Sequence, residues 1–244
     1  MEKFFTKSQQ IQHIIKSFNL TKTLFVSSII IGDANIGKKT LIHSLFPTIH
    51  WVSGEDQKKV EEALEVYNEL IIYNFEKLSN YSNFDFTNKR IIAIANYMGN
   101  SETIDKLFAF IYMMPPLKER TEDVDFLINH FLKEAKNTLM IKEKKINKES
   151  LPINLTHNSK SLKKNIYYYL FTKTVKSADI QKILYDYFIQ NLEGNNSYRD
   201  HLHIYEKPLI QAGLDKYNSQ LKLSEILGIN RNTLRKKIHE HNID

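Results

Sequence analysis

An α/β front half followed by helices alone is the fold class this sequence predicts, and three observations predict it. Up to about residue 117, β-branched runs alternate with amphipathic helical spacing. The segment Gly32-Asp33-Ala34-Asn35-Ile36-Gly37-Lys38-Lys39-Thr40 has the GxxxxGK spacing of a phosphate-binding loop. Beyond Pro115 and Pro116 helical periodicity takes over and ends in two short helices parted by Gly228.

The elements follow in order. Ile11, Ile14, Ile15 and Phe18 fall at helical spacing over residues 8–18, and the apolar run 24–31 reads as a buried strand ended by Gly32. A helix is expected over 38–45, another over 58–67, a strand over 69–73 (ELIIY) and a third strand over 90–96 (RIIAIAN). Residues 122–136 carry Val124, Leu127, Ile128, Phe131 and Leu132 on one face. A lysine-rich connector is expected over 140–148, helices over 160–174 and 180–192, and a polar loop over 193–197. The block 198–243 is helical, broken at Pro208, at Tyr217-Asn218-Ser219 and at Gly228. These boundaries divide the chain into an α/β core over 1–117, a helical region over 118–177 and a helical tail over 178–244.

Composition narrows the chemistry. The 244 residues contain no cysteine, which excludes disulfide frameworks, thiolate nucleophiles and cysteine zinc sites. The run 24–31 is too short to span a bilayer and the N-terminus lacks the pattern of a secretory signal, so a cytoplasmic protein without membrane contact is expected. The formal charge of +6 suits an anionic partner. Histidines at 201/203 and 239/241 point apart on a helix and lack a carboxylate cluster, so no metal site is expected.

In the phosphate loop, Gly32 and Gly37 let backbone N–H groups wrap phosphates and Lys38 neutralises them. Lys39 stands where a magnesium-binding hydroxyl normally follows, and Thr40 comes one place late. This stretch resembles the ATPase domain of NtrC-like, sigma-54-dependent activators of the AAA+ class, which also lack that hydroxyl. MMPPLKERTEDVDFLINHFLKEA (113–135) and NSKSLKKNI (158–166) resemble the segments leading into and forming that family's helical lid. The resemblance therefore implies a degenerate AAA+ P-loop-like domain with an all-helical lid. Degenerate is the apt word. After the strand at 69–73 come Asn74, Phe75 and Glu76 where the family has an acidic pair; the sigma-contacting loop is missing; residues 105–112 contain no arginine; and Lys160 replaces the lid arginine. Asn96 matches a polar sensor position. Hydrolysis needs metal, an oriented water and cationic stabilisation, so the chain is expected not to be an enzyme. It should require no cofactor and bind ATP or ADP weakly at most, through Gly32, Gly37, Lys38, Lys39 and Thr40.

The tail reads as a helix-turn-helix. Residues 220–227 (QLKLSEIL) form its first helix, Gly228-Ile229-Asn230 the turn, and 231–240 (RNTLRKKIHE) the second helix with Asn230 as N-cap. Leu223, Ile226, Leu227, Ile229, Leu234 and Ile238 would form the core between them. Arg231, Thr233, Arg235, Lys236 and Lys237 would face outward. Residues 205–244, YEKPLIQAGLDKYNSQLKLSEILGINRNTLRKKIHEHNID, resemble the C-terminal region of Fis-type proteins, with GINRNTLRKK the specific part. That resemblance reaches back to about residue 178 and implies a dimer, with Pro208 inside the second dimerisation helix. It implies DNA contacts at Asn230, Arg231, Asn232, Thr233, Arg235 and Lys236, with Lys237 nearby on the flank as a phosphate neutraliser and Gln220 on the backbone. Together these features predict a sequence-specific transcription regulator that binds roughly palindromic double-stranded DNA as a homodimer, lies in the nucleoid and does not remodel sigma-54 polymerase. The resemblance leaves room for contact with RNA polymerase or another regulator. The rival readings are a Fis-like architectural nucleoid protein and a residual P-loop ATPase.

Overall fold

The computed structural model describes residues 4–141 and 150–243; residues 142–149, most of the expected lysine-rich connector, lie outside them. The chain divides into two compact units, 1–174 and 175–244.

The first unit is built on five parallel strands, β1 (Ser28–Ile31), β2 (His50–Ser53), β3 (Glu69–Tyr73), β4 (Arg90–Ala95) and β5 (Phe110–Met113), in the order β2-β3-β4-β1-β5. Side chains alternate cleanly between the faces. Ile29, Ile31, Leu70, Ile72, Ile91 and Ala93 pack into one core, while Ile30, Ile71, Ile92 and Ile94 pack into the other. A sheet covered on both sides needs this near-continuous apolar lettering.

The expected strand over 24–31 is shorter than its apolar run. Pairing to β4 and β5 begins at Ser28, and Leu24 and Phe25 are exposed. Ser27 closes the ladder instead, donating to the Lys89 carbonyl and accepting from the Ile91 N–H. The sequence reading did not identify β2 or β5 as strands.

Helices α1 (Gln9–Thr21) and α2 (Lys38–Leu45) pack on one face of the sheet and α3 (Gln57–Val66) on the other. Helix α4 (Ser101–Leu107) links β4 to β5. The long α5 (Thr121–Thr138) and α6 (Ser159–Thr174) pack together through Val124, Ile128, Leu132, Leu162, Ile166 and Leu170.

The second unit is helical: α7 (Ser177–Asn191), α8 (Ser197–Tyr217), α9 (Gln220–Leu227) and α10 (Arg231–Glu240). Helix α8 runs unbroken through Pro208, as the Fis resemblance implies and the bare periodicity does not. Its core is Ile210, Leu223, Leu234 and Ile243, with Leu214, Tyr217, Leu227, Ile229 and Ile238 around it. Ile226, expected in that core, is about half exposed at 51%. It lies three residues after the buried Leu223 but turns off the stripe that faces α10. Among the described residues no helix is long and apolar enough to cross a membrane.

A self-closed phosphate loop and a candidate nucleic-acid interface

The loop between β1 and α2 is shaped by Gly32, where a side chain would collide with the Met114 carbonyl oxygen. Gly37 caps α2 in a left-handed conformation, φ 98°. The loop therefore has the course the GxxxxGK spacing predicts, but its lysine is turned inward. Lys38 Nζ donates to the carbonyl oxygens of Gly32 and Asp33 (2.6 Å for the latter) and to Asn96 Oδ1 at 3.1 Å. Burial pushes its pKa down to about 8, opposed by the nearby Glu76 and Asp33 carboxylates.

Asn96 is fixed in turn. Its side-chain amide donates to Glu76 at 2.6 Å and its backbone N–H donates to the same carboxylate at 3.1 Å. Glu76, which follows β3, thus holds Asn96. Asn74 pairs with Glu55, and Phe75 is buried in the core. Lys39 lies over the Tyr73 ring at 3.9 Å, and Thr40 lines a cavity of about 370 Å³ beside the loop.

The loop is also tied to its surroundings. Arg120 donates to the Ile36 carbonyl at 2.7 Å and meets Asp123 at 3.3 Å, with both side chains almost wholly buried. Burial pushes the guanidinium below its ordinary pKa, opposed by Asp123. Asp123 also accepts from the Thr6 hydroxyl, at 2.8 and 3.0 Å, and from the Lys7 and Ser8 N–H groups. The chain at 4–8 is thereby strapped across the loop, with Phe5 stacked on Phe126 at 3.9 Å. Asn158 and Ser159, at the start of α6, donate to the Ala34 and Asn35 carbonyls. Between strap, loop and helices α5 and α6 lies a cavity of about 490 Å³, lined by Phe4, Phe131 and Lys160 among others. Sequence reasoning missed the strap, because Thr6 and Asp123 are 117 residues apart.

In the second unit the helix-turn-helix is set by three local devices. Ser219 caps α9 by accepting from the Lys222 N–H. Gly228 ends it at φ 64°. The Asn230 side chain caps α10, accepting from the Asn232 N–H at 2.8 Å; such a cap stabilises by about 1 kcal/mol. Arg231, Asn232, Thr233, Arg235 and Lys236 are exposed, as expected. Lys236 makes a loose pair with Glu240 at 3.6 Å. Gln220 and Arg235 share a shallow cavity of about 350 Å³ with His239 and Asn242, two polar residues the sequence reading did not assign.

Lys237 departs from expectation. Its amine is bound by Glu206 of α8, which also takes His241 Nε2 at 3.0 Å. Paired at 26% side-chain exposure, Lys237 does not point freely outward as its sequence position suggests.

The comparisons place these units. The family described as bacterial regulatory protein, Fis family, matches residues 202–241. The tail is a Fis-family helix-turn-helix domain. The chain is also similar to the DNA-binding transcriptional regulator NtrC of Azospirillum brasilense, 30% identical over 166 residues. That match takes in 53% of this chain and 34% of the relative, so the chain spans about a third of that regulator's length. Among solved structures, NtrX from Brucella abortus in complex with ATP superposes with a TM-score of 0.58 at 15% identity, over all of this chain and 70% of that one. NtrX in complex with ADP gives 0.54 at 14% identity, over 99% and 70%. The domain before the Fis-family tail has an NtrC-like AAA+ fold.

Proposed function

We propose that this protein is a sequence-specific DNA-binding transcription regulator of the Fis and NtrC-like type that does not turn over nucleotide. One observation carries the DNA-binding reading. The Fis-family helix α10 presents Arg231, Asn232, Thr233, Arg235 and Lys236 to solvent from a capped N-terminus, with its apolar side buried on Leu234. Helices docked in this way enter the major groove with their first turns against base edges and flanking cations on phosphates. Gln220, at the start of α9 and beside Arg235, suits a backbone contact. Selection of binding sites from a random duplex library tests the reading. Enrichment of one roughly palindromic motif supports it; binding to all duplexes alike supports an architectural protein instead.

A homodimer is the assembly this reading needs. Helix α7 has no buried residue, and Ile183, Tyr187, Ile189 and Leu192 are 43–68% exposed. Tyr198, Tyr205 and Leu209 on α8 add to this apolar surface. A fifteen-residue helix is marginal alone in water. Burial against a second copy supplies the missing contacts. Light scattering without DNA is expected to give about twice 28.7 kDa; a monomer or hexamer mass contradicts it.

The nucleotide reading is a separate expectation. Lys38 is engaged by loop carbonyls and Glu76 by Asn96. Weak binding of ATP or ADP at most is expected, with no phosphate release, and Lys38→Ala should leave DNA affinity unchanged. Turnover that disappears in Lys38→Ala would show a working ATPase and overturn this part of the proposal.

A further inference from the structure

Glu206 sits in the middle of α8, 31 residues before Lys237, and its carboxylate faces the last turns of α10. One oxygen accepts from Lys237 Nζ and the other from His241 Nε2. The side chains of Glu206 and His241 are 16% and 13% exposed, so the cluster is largely shielded from water and salt. Such a contact is screened much less than a surface ion pair. Burial works against the ionised carboxylate, yet the hydrogen bonds from Lys237 and His241 hold its pKa below the usual range.

This contact does two things at once. It pins the C-terminal end of α10 to α8. It also takes Lys237 out of the set of cations that α10 offers, leaving Arg231, Arg235 and Lys236 on the exposed side.

We propose that Glu206 is a specificity-determining positioning residue: it withholds Lys237 from the phosphate backbone and fixes the angle at which α10 meets DNA. The inference rests on the DNA-binding reading above. Each released cation that reaches a phosphate adds a contact blind to sequence, and steepens the log–log salt dependence by about 0.9. Glu206 thus trades raw affinity for discrimination.

The test uses the full chain with Glu206→Gln, Lys237→Ala and the double variant. Each is titrated against a duplex selected by the unmutated protein and a scrambled duplex, over a range of salt. Glu206→Gln keeps the shape of the side chain and removes its charge. It is expected to bind the scrambled duplex several-fold more tightly, with a salt slope steeper by about 0.9 per protomer, and to discriminate less between the duplexes. Lys237→Ala alone should leave the slope unchanged, and the double variant should lose the gain. An unchanged or flatter slope in Glu206→Gln overturns the proposal, as does a gain that persists in the double variant. If Glu206→Gln fails to fold by circular dichroism, Lys237→Ala still decides: an unchanged slope supports the proposal and one flatter by about 0.9 overturns it. Failure of the unmutated protein to bind duplex at all would instead sink the DNA-binding reading.

Discussion

Arg231→Ala is expected to cost about tenfold or more in preference at one base position of the binding site, while leaving binding to a scrambled duplex nearly intact. Arg231 is the first residue of α10, next to the Asn230 cap, and is exposed. Among the described residues it has no acidic partner, unlike Lys236 and Lys237. The first turn of a recognition helix lies closest to base edges. A guanidinium there can bond guanine at two atoms, which discriminates by roughly 1–3 kcal/mol. Arg235 is one turn further on, about 6 Å along the axis. It shares its cavity with Gln220, so a phosphate contact is the simpler role for it. Titration of Arg231→Ala against the selected duplex and its single-base variants checks this. Equal weakening on every duplex would assign Arg231 to the backbone and favour an architectural role.

The reach of sequence reasoning here follows the range of the interactions involved. Strand β3 and helix α2 match their expected bounds, because ELIIY and the glycine-lysine turn are local signals. The caps at Asn230 and Gly228 are equally local. Strand β2 (HWVS) was missed because it lies at a sheet edge, mixes polar with aromatic residues and spans four positions. Strand β5 was missed because FIYM carries no alternation, and its Met113 is exposed. The run 24–31 was over-read because hydrophobicity alone does not reveal where hydrogen-bonded partners begin.

The candidate sites divide the same way. Which residues belong to the phosphate loop was legible from spacing. That Lys38 would turn onto its own loop, and that Glu76 would serve Asn96, was not. The Glu76–Asn96 contact depends on where β3 and β4 end side by side, a register that only the assembled sheet sets, and the inward turn of Lys38 depends on the course of the β1–α2 loop. The Lys237 departure has the same origin. Its partner lies on α8, so the outward position inferred from α10 alone could not reveal it.

Asp123→Ala should have the largest effect on stability, destabilising the first unit by about 3–5 kcal/mol. The cost comes from what the substitution leaves behind. Arg120 is 1% exposed, and without Asp123 its guanidinium keeps the Ile36 carbonyl as its remaining hydrogen-bond partner among the described residues. Arginine does not shed its charge in proteins, so the buried cation must either stay uncompensated or drag structure toward water. The pair need not stabilise relative to an apolar pair of equal volume, because both ions lost their hydration on burial. Breaking it from one side is what costs. Asp123 also holds the strap at Thr6, Lys7 and Ser8, so its loss removes those hydrogen bonds and frees Phe5 from Phe126. Against a typical domain stability of about 5–15 kcal/mol, the effect is large enough to unfold the unit at moderate urea. Urea titration of the full chain should show the transition of the α/β unit moved to much lower concentration, while DNA binding by the helical unit persists. Asp123→Asn, which keeps an acceptor but no charge, should fall between the two proteins. A loss below about 1 kcal/mol in Asp123→Ala would mean that Arg120 reaches solvent once released, and that the strap is not clamped by this pair.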